Sequence, residues 1–137
     1  MKAFSYFGVL LAAIILTSLI VLPSRVCFKG GENYTFYCGT SADCREVKPV
    51  FNADAERLFL ADISGESVEY TTFDLESFLK EVGGRVVFTE ELSDSVNYYC
   101  TADLPYSVNL NGREINLHIC VRQDRVKVAS PIIFGGY

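Results

Sequence analysis

The hydrophobic pattern divides the chain into two parts. Ala3–Leu22 carries no charge, and its only hydroxyl-bearing side chains are Ser5, Tyr6, Thr17 and Ser18. Twenty helical residues match a hydrocarbon layer of about 30 Å, so residues 3–22 are expected to form a transmembrane helix that contacts the membrane. A cleaved signal has a shorter apolar stretch, of about 7–15 residues, with small residues at positions −3 and −1. Here the exit reads Leu22-Pro23-Ser24-Arg25, which puts the large Leu22 at −3 if Ser24 is −1. Residues 1–24 therefore read as an uncleaved signal anchor, and a cleaved, freely secreted chain is the alternative. Arg25 and Val26 stand where small residues should precede a lipid-modified Cys27.

Beyond Pro23 the pattern changes. Residues 25–32, with Gly30-Gly31, read as a tether to a domain over 33–137. Asn33–Cys38 is aromatic and β-branched, as strands are. Ala53–Ile63 fits both a helical stripe and alternation; the following Ser64-Gly65-Glu66 turn and Ser67–Thr72 favour a hairpin. Phe73–Val82 is the clearest helix of this domain. Leu75, Phe78, Leu79 and Val82 share one face, Thr71 or Thr72 can cap it, and Gly83-Gly84 can stop it. Strand patterns follow at Arg85–Glu90, Val96–Thr101, Tyr106–Leu110, Arg113–Arg122 and Val126–Ile133. Asn111-Gly112 predicts a tight hairpin in which Leu110 faces Arg113, Val108 faces Ile115 and Tyr106 faces Leu117. Ile115, Leu117, Ile119 and Val121 then share the buried face, and Asn116, His118 and Cys120 the other. The fold class is α+β: the N-terminal transmembrane helix, then a small, largely antiparallel sheet packed on one helix.

Charge narrows the function classes. Beyond Leu22 there are 11 Lys and Arg against 17 Asp and Glu, a formal net charge of −6. That sign lacks the basic footprint of phosphate-backbone binding, so no nucleic-acid partner is expected. The same balance disfavours lying flat on anionic lipid. All five cysteines, Cys27, Cys38, Cys44, Cys100 and Cys120, follow the apolar segment. Such placement suits an oxidising compartment and orients the domain outward, although buried free thiols would look the same in sequence.

Cys38 and Cys44, with five residues between them, are the candidate disulfide; Cys27, Cys100 and Cys120 stay unassigned. Zinc ligands are more often spaced by two to four residues with a second pair following, and only Cys100, His118 and Cys120 remain, so no metal or cofactor site is expected. His118 and Cys120 lie on one strand face and raise a thiol–imidazole enzyme as the rival reading. Their Cα atoms would stand roughly 7 Å apart, and no residue is identifiable to orient the histidine. The carboxylates at Glu90-Glu91, Asp94, Asp103 and Asp124 sit beside turn residues, as solvated turns do. Gly83-Gly84 follows a helix where a phosphate loop would precede one. Asn33-Tyr34-Thr35 matches a glycosylation tripeptide, too short a pattern to carry weight. Tyr98, Tyr99, Phe134 and Tyr137 are the candidate interaction surface, because aromatics bury much area at small entropic cost.

Leu104-Pro105-Tyr106, Asn116-Leu117-His118-Ile119 and Ser130-Pro131-Ile132-Ile133-Phe134-Gly135 give the chain a loose likeness over residues 73–137. On these residues it resembles small uncharacterised exported or membrane-anchored proteins of Gram-positive bacteria, clostridial in type, a group without assigned activity. The resemblance implies a cell-surface setting and transfers no site residue. The expectation is a non-enzymatic interaction module at the cell envelope, held at the cell membrane by a single pass with its C-terminal domain outside, working through a protein or envelope partner.

Overall fold

The computed structural model describes residues 2–21, 26–40 and 42–134. Lys2–Val21 form helix α1, whose side chains are described from residue 6 to residue 18. Its large apolar side chains in that stretch stand 49–73% exposed. Among the described residues, no helix is long and apolar enough to cross a membrane. The transmembrane, single-pass signal-anchor expectation is corrected on that finding. Leu22, Pro23, Ser24 and Arg25, on which the cleavage argument turned, lie outside the described residues.

The rest is a sheet-rich α+β domain. Its elements are β1 (Glu32–Cys38), β2 (Arg45–Val47), α2 (Ala53–Arg57), β3 (Ile63–Tyr70), α3 (Leu75–Glu81), β4 (Arg85–Glu91) and β5 (Val96–Thr101). After them come β6 (Val108–Leu110), β7 (Arg113–Ile115), β8 (Leu117–Val121) and β9 (Val126–Ser130). Seven strands make an antiparallel sheet in the order β2-β1-β3-β9-β8-β5-β4, and β6-β7 pair apart from it.

Local chemistry explains the boundaries. Asp74, rather than either threonine, caps α3: its Oδ1 accepts from Ser77 N at 2.7 Å. Gly83 stops the helix with φ 63°, a left-handed conformation that suits glycine. The Asn-Gly hairpin pairs Leu110 with Arg113 and Val108 with Ile115, with positive φ at Asn111 and Gly112. The ladder does not reach Tyr106, whose hydroxyl instead accepts from Arg57 Nη2. The expected long strand over 113–122 breaks at Asn116. That side chain accepts from Ala102 N and donates to Ala102 O, both at 2.6 Å. β9 ends at Ser130, since Pro131 has no N–H to continue a ladder.

One sheet face is apolar. Phe28, Val68, Cys100, Leu117, Ile119, Val126 and Val128 form its core, with Phe73, Leu75, Phe78, Leu79 and Val82 of the α3 region packed on it. The other face, to which His118 and Cys120 were assigned opposite the buried one, is buried as well. Tyr37, Ser67, Asn97, His118, Cys120 and Ala129 are all buried there. Residues 131–134 cross it: Ile133 is buried with Cys120 and Ala129, and the Phe134 ring meets Tyr37 edge-on, with centroids 5.0 Å apart.

The disulfide expectation is also corrected, because all five cysteines are free thiols. Cys38 packs into an apolar cluster with Val26 and Phe36, while Cys44 is half-buried outside that cluster. Cys100 lies in the α3-facing core, and Cys120 joins the cluster on the opposite face. The buried thiols behave as small hydrophobes. They therefore give no support to an oxidising compartment or an outward orientation.

Candidate functional site

The most distinctive local structure is the corner between β2 and β3, where 53–63 was expected to be the first strand of a hairpin turning at 64–66; the turn residues instead lie within the single strand β3. Asn52, Asp54 and Glu56 decide for helix instead. Asn52 Oδ1 accepts from Ala55 N at 3.0 Å as an N-cap, and both acids sit in the first turn, where the helix dipole favours them. Glu56 Oε1 also reaches back to accept from Val50 N at 2.8 Å and Phe51 N at 2.6 Å. The turn continues beyond α2, with Phe59 N donating to Glu56 O at 3.0 Å and Leu60 N to Arg57 O at 3.3 Å.

The inner side of this corner is fastened to the domain. Ala53 and Leu60 pack on Val26, Phe36 and Cys38, and Asp54 Oδ1 accepts from Val26 N at 3.1 Å. Arg57 stands 3.4 Å from Glu66, a fully buried carboxylate on β3, and donates to Tyr106. Glu66 Oε1 also accepts from Cys27 N. Burial pushes the Glu66 carboxyl up, against the pull of Cys27 N–H and of Arg57. Burial, with the Glu66 charge beside it, raises the Cys27 thiol as well, so this cysteine is no thiolate nucleophile.

The corner also carries bare apolar side chains. Phe51 is 95% exposed, Phe59 88% and Val50 78%, with Leu58 also exposed. The two phenylalanines stand at opposite ends of α2, about 8 Å of helix apart. Beside Phe51 lies an open groove of about 870 Å³, lined by Tyr34, Lys48, Asp54 and the carboxylates of Glu32, Glu46 and Glu69 among others.

The residues singled out from sequence fall elsewhere. His118 and Cys120 share a sheet face, but His118 is engaged on both ring nitrogens. Nδ1 takes the N–H of Ile133 at 3.2 Å, which leaves the proton on Nε2 for Asn97 Oδ1 at 3.0 Å. Burial lowers its pKa to about 4, so the ring is neutral. Burial raises the Cys120 thiol in turn. A thiolate, and a ring nitrogen open to take its proton, are both missing from this pair. Tyr99 stacks between Phe88 and His118, with centroids 4.4 Å from each. Tyr98 packs against the α3-side core, and Phe134 against Tyr37. Tyr137 lies outside the described residues. Among the described residues, no three His, Cys, Asp or Glu side chains come together as metal ligands.

Sequence reasoning passed over Val50, Phe51, Leu58 and Phe59. The signal was present: an Asn N-cap with acids in the first turn, and apolar pairs just outside both ends of a helix too short to bury them. No family model, no curated protein and no solved structure matches this chain.

Proposed function

We propose that this domain is a non-enzymatic interaction module whose contact surface is the corner over residues 50–59. The observation that carries the reading is the exposure of Phe51 and Phe59 on a backbone that hydrogen bonds and a buried ion pair hold in place. Large apolar side chains in water cost roughly 1.5–3 kcal/mol each relative to burial. Residues 50–59 gather four of them in one short stretch of chain, and exposed apolar surface of that kind marks an interaction site. A preformed backbone reduces the ordering cost of binding, which suits such residues as anchors. The neutral, doubly bonded His118 and the thiols of Cys27, Cys100 and Cys120, which burial pushes up, support a role without covalent chemistry.

The test is a Phe51→Ser/Phe59→Ser variant, compared with the parent for stability and for cross-linked neighbours in the cells that make the protein. Unchanged thermal stability with loss of the specific neighbours is the expected result. A stability loss of about 3–5 kcal/mol would show instead that these rings fill a core. Neighbours captured equally well by both forms would move the contact surface elsewhere.

A further inference from the structure

We infer that residues 131–134 are an acid-released strap, which lies across the sheet face opposite α3 and lifts from it when His118 takes up a second proton. This goes beyond the 50–59 contact surface and does not rest on it. Three of the holds on the strap are packing contacts, and the fourth is a titratable ring.

The seat is built into the sheet. Gly65 of β3 leaves the room for it: a Cβ there would stand 2.5 Å from Ser130 O, 3.0 Å from Pro131 Cδ and 3.4 Å from Phe134 Cε2. Tyr37 of β1 meets the Phe134 ring edge-on, and Ile133 is buried with Cys120 and Ala129. The last hold is polar. Ile133 N donates to His118 Nδ1 at 3.2 Å, while Nε2 faces Asn97 Oδ1 at 3.0 Å. A second proton on the ring must go to Nδ1, onto the lone pair that receives Ile133. Two N–H groups then point at each other, and the bond is lost inside a buried seat. Lifting the strap returns both N–H groups and the imidazolium charge to water. The other titratable groups at the seat are Cys120 on β8, Tyr99 stacked on His118 from β5, and Tyr37 on β1. Glu90 of β4 reaches it through the Tyr99 hydroxyl, at 3.3 Å. Thiols and phenols titrate at alkaline pH, and histidine is the side chain that changes charge between pH 7 and pH 5. The α3-facing core, which holds Cys100, lies on the other side of the sheet, so the strap can lift while that core stays closed.

Cys120 under the strap and Cys100 in the α3-facing core report on the two faces separately. The full-length chain is reacted with dipyridyl disulfide, which still attacks thiols in acid, and the rate at each site is divided by that of the urea-unfolded chain at the same pH. With the covered ring at about 4 and the uncovered ring at its ordinary 6.5, the opening equilibrium rises about twentyfold from pH 7 to pH 5. Cys120 should gain reactivity by that factor while Cys100 does not, and in His118→Phe the Cys120 rate should be independent of pH. Exchange of the Ile133 amide in the parent, scaled in the same way, should quicken by the same factor and requires no variant to fold. An unchanged rate at Cys120 or at the Ile133 amide overturns the release of the strap. Cys100 and Cys120 rising together would mean that the whole domain opens, and an acid response that survives in His118→Phe would put the titration elsewhere; either result overturns the inference.

Discussion

Replacing Arg57 with leucine removes the guanidinium 3.4 Å from a carboxylate with no solvent exposure, together with the donor to Tyr106. Glu66 keeps the N–H of Cys27 and loses its countercharge. Breaking a buried pair from one side costs about 3–5 kcal/mol, because the remaining charge is left uncompensated. Arg57 retains some solvent contact, so the lower end, about 3 kcal/mol, is expected. With a urea dependence of about 1–3 kcal/mol per molar, the unfolding midpoint falls by about 1.5 M. The pH dependence has a definite sign. Burial holds the folded carboxyl above its unfolded value, so Glu66 favours the fold at pH below the unfolded pKa. That contribution fades as pH rises through the folded value. Without Arg57 the folded value rises further, and the variant should lose less at pH 5 than at pH 8. Arg57→Leu/Glu66→Leu should recover most of the stability. Urea unfolding followed by far-UV circular dichroism at both pH values is the assay. A loss below about 1 kcal/mol at both, or a double variant no better than the single, would show that Arg57 does not compensate a buried charge on Glu66.

His118 is the one histidine of the chain, and its pKa of about 4 lies below the ordinary value of 6.5. The native state then binds fewer protons than the unfolded chain between those pH values, so its contribution is full above pH 6.5 and is lost as pH falls towards 4. The lost share is about 3 kcal/mol, read as the difference between parent and His118→Phe in unfolding experiments across that window. An acid dependence identical in both forms would place the titration elsewhere. In the absence of reductant, alkylation of the unfolded chain should add five labels by mass, one per cysteine; fewer would reveal a disulfide. Before unfolding, Cys38, Cys100 and Cys120 should resist labelling because they are buried, and rapid reaction at all five would contradict the packing.

The parts of the fold legible in sequence were those in which one local signal had no competitor. The Asn111-Gly112 turn set the register of its hairpin, and the Leu75, Phe78, Leu79 and Val82 stripe placed α3. Asn116 interrupted an alternating run because its amide closes on Ala102, a long-range bond that periodicity does not register. His118 and Cys120 were assigned to the face opposite the buried one, and their burial depends on residues 131–134 returning across it. Cys38 and Cys44 suggested a bridge by their spacing, yet pairing requires facing side chains, and Cys38 packs into the apolar cluster with Val26 and Phe36 while Cys44 lies outside it. The 50–59 corner was overlooked because its phenylalanines count as core residues in any hydrophobic pattern. Only the short length of α2 and the Glu56 bonds turn them outward.

The proposed contact surface requires that corner to be a built platform, and amide hydrogen exchange at Val50 and Phe51 probes it most directly. Their N–H groups lie on an exposed stretch and are held by Glu56 Oε1. Hydrogen bonds to a charged group contribute about 1.5–3 kcal/mol, so both amides should exchange at least about tenfold more slowly than in an unstructured chain. Glu56→Ala should remove that protection while leaving the amides of β8 and β9 as slow as before. Exchange at the unstructured rate in the parent would mean that Phe51 hangs on a loose loop, and the corner would lose its standing as a preformed contact surface.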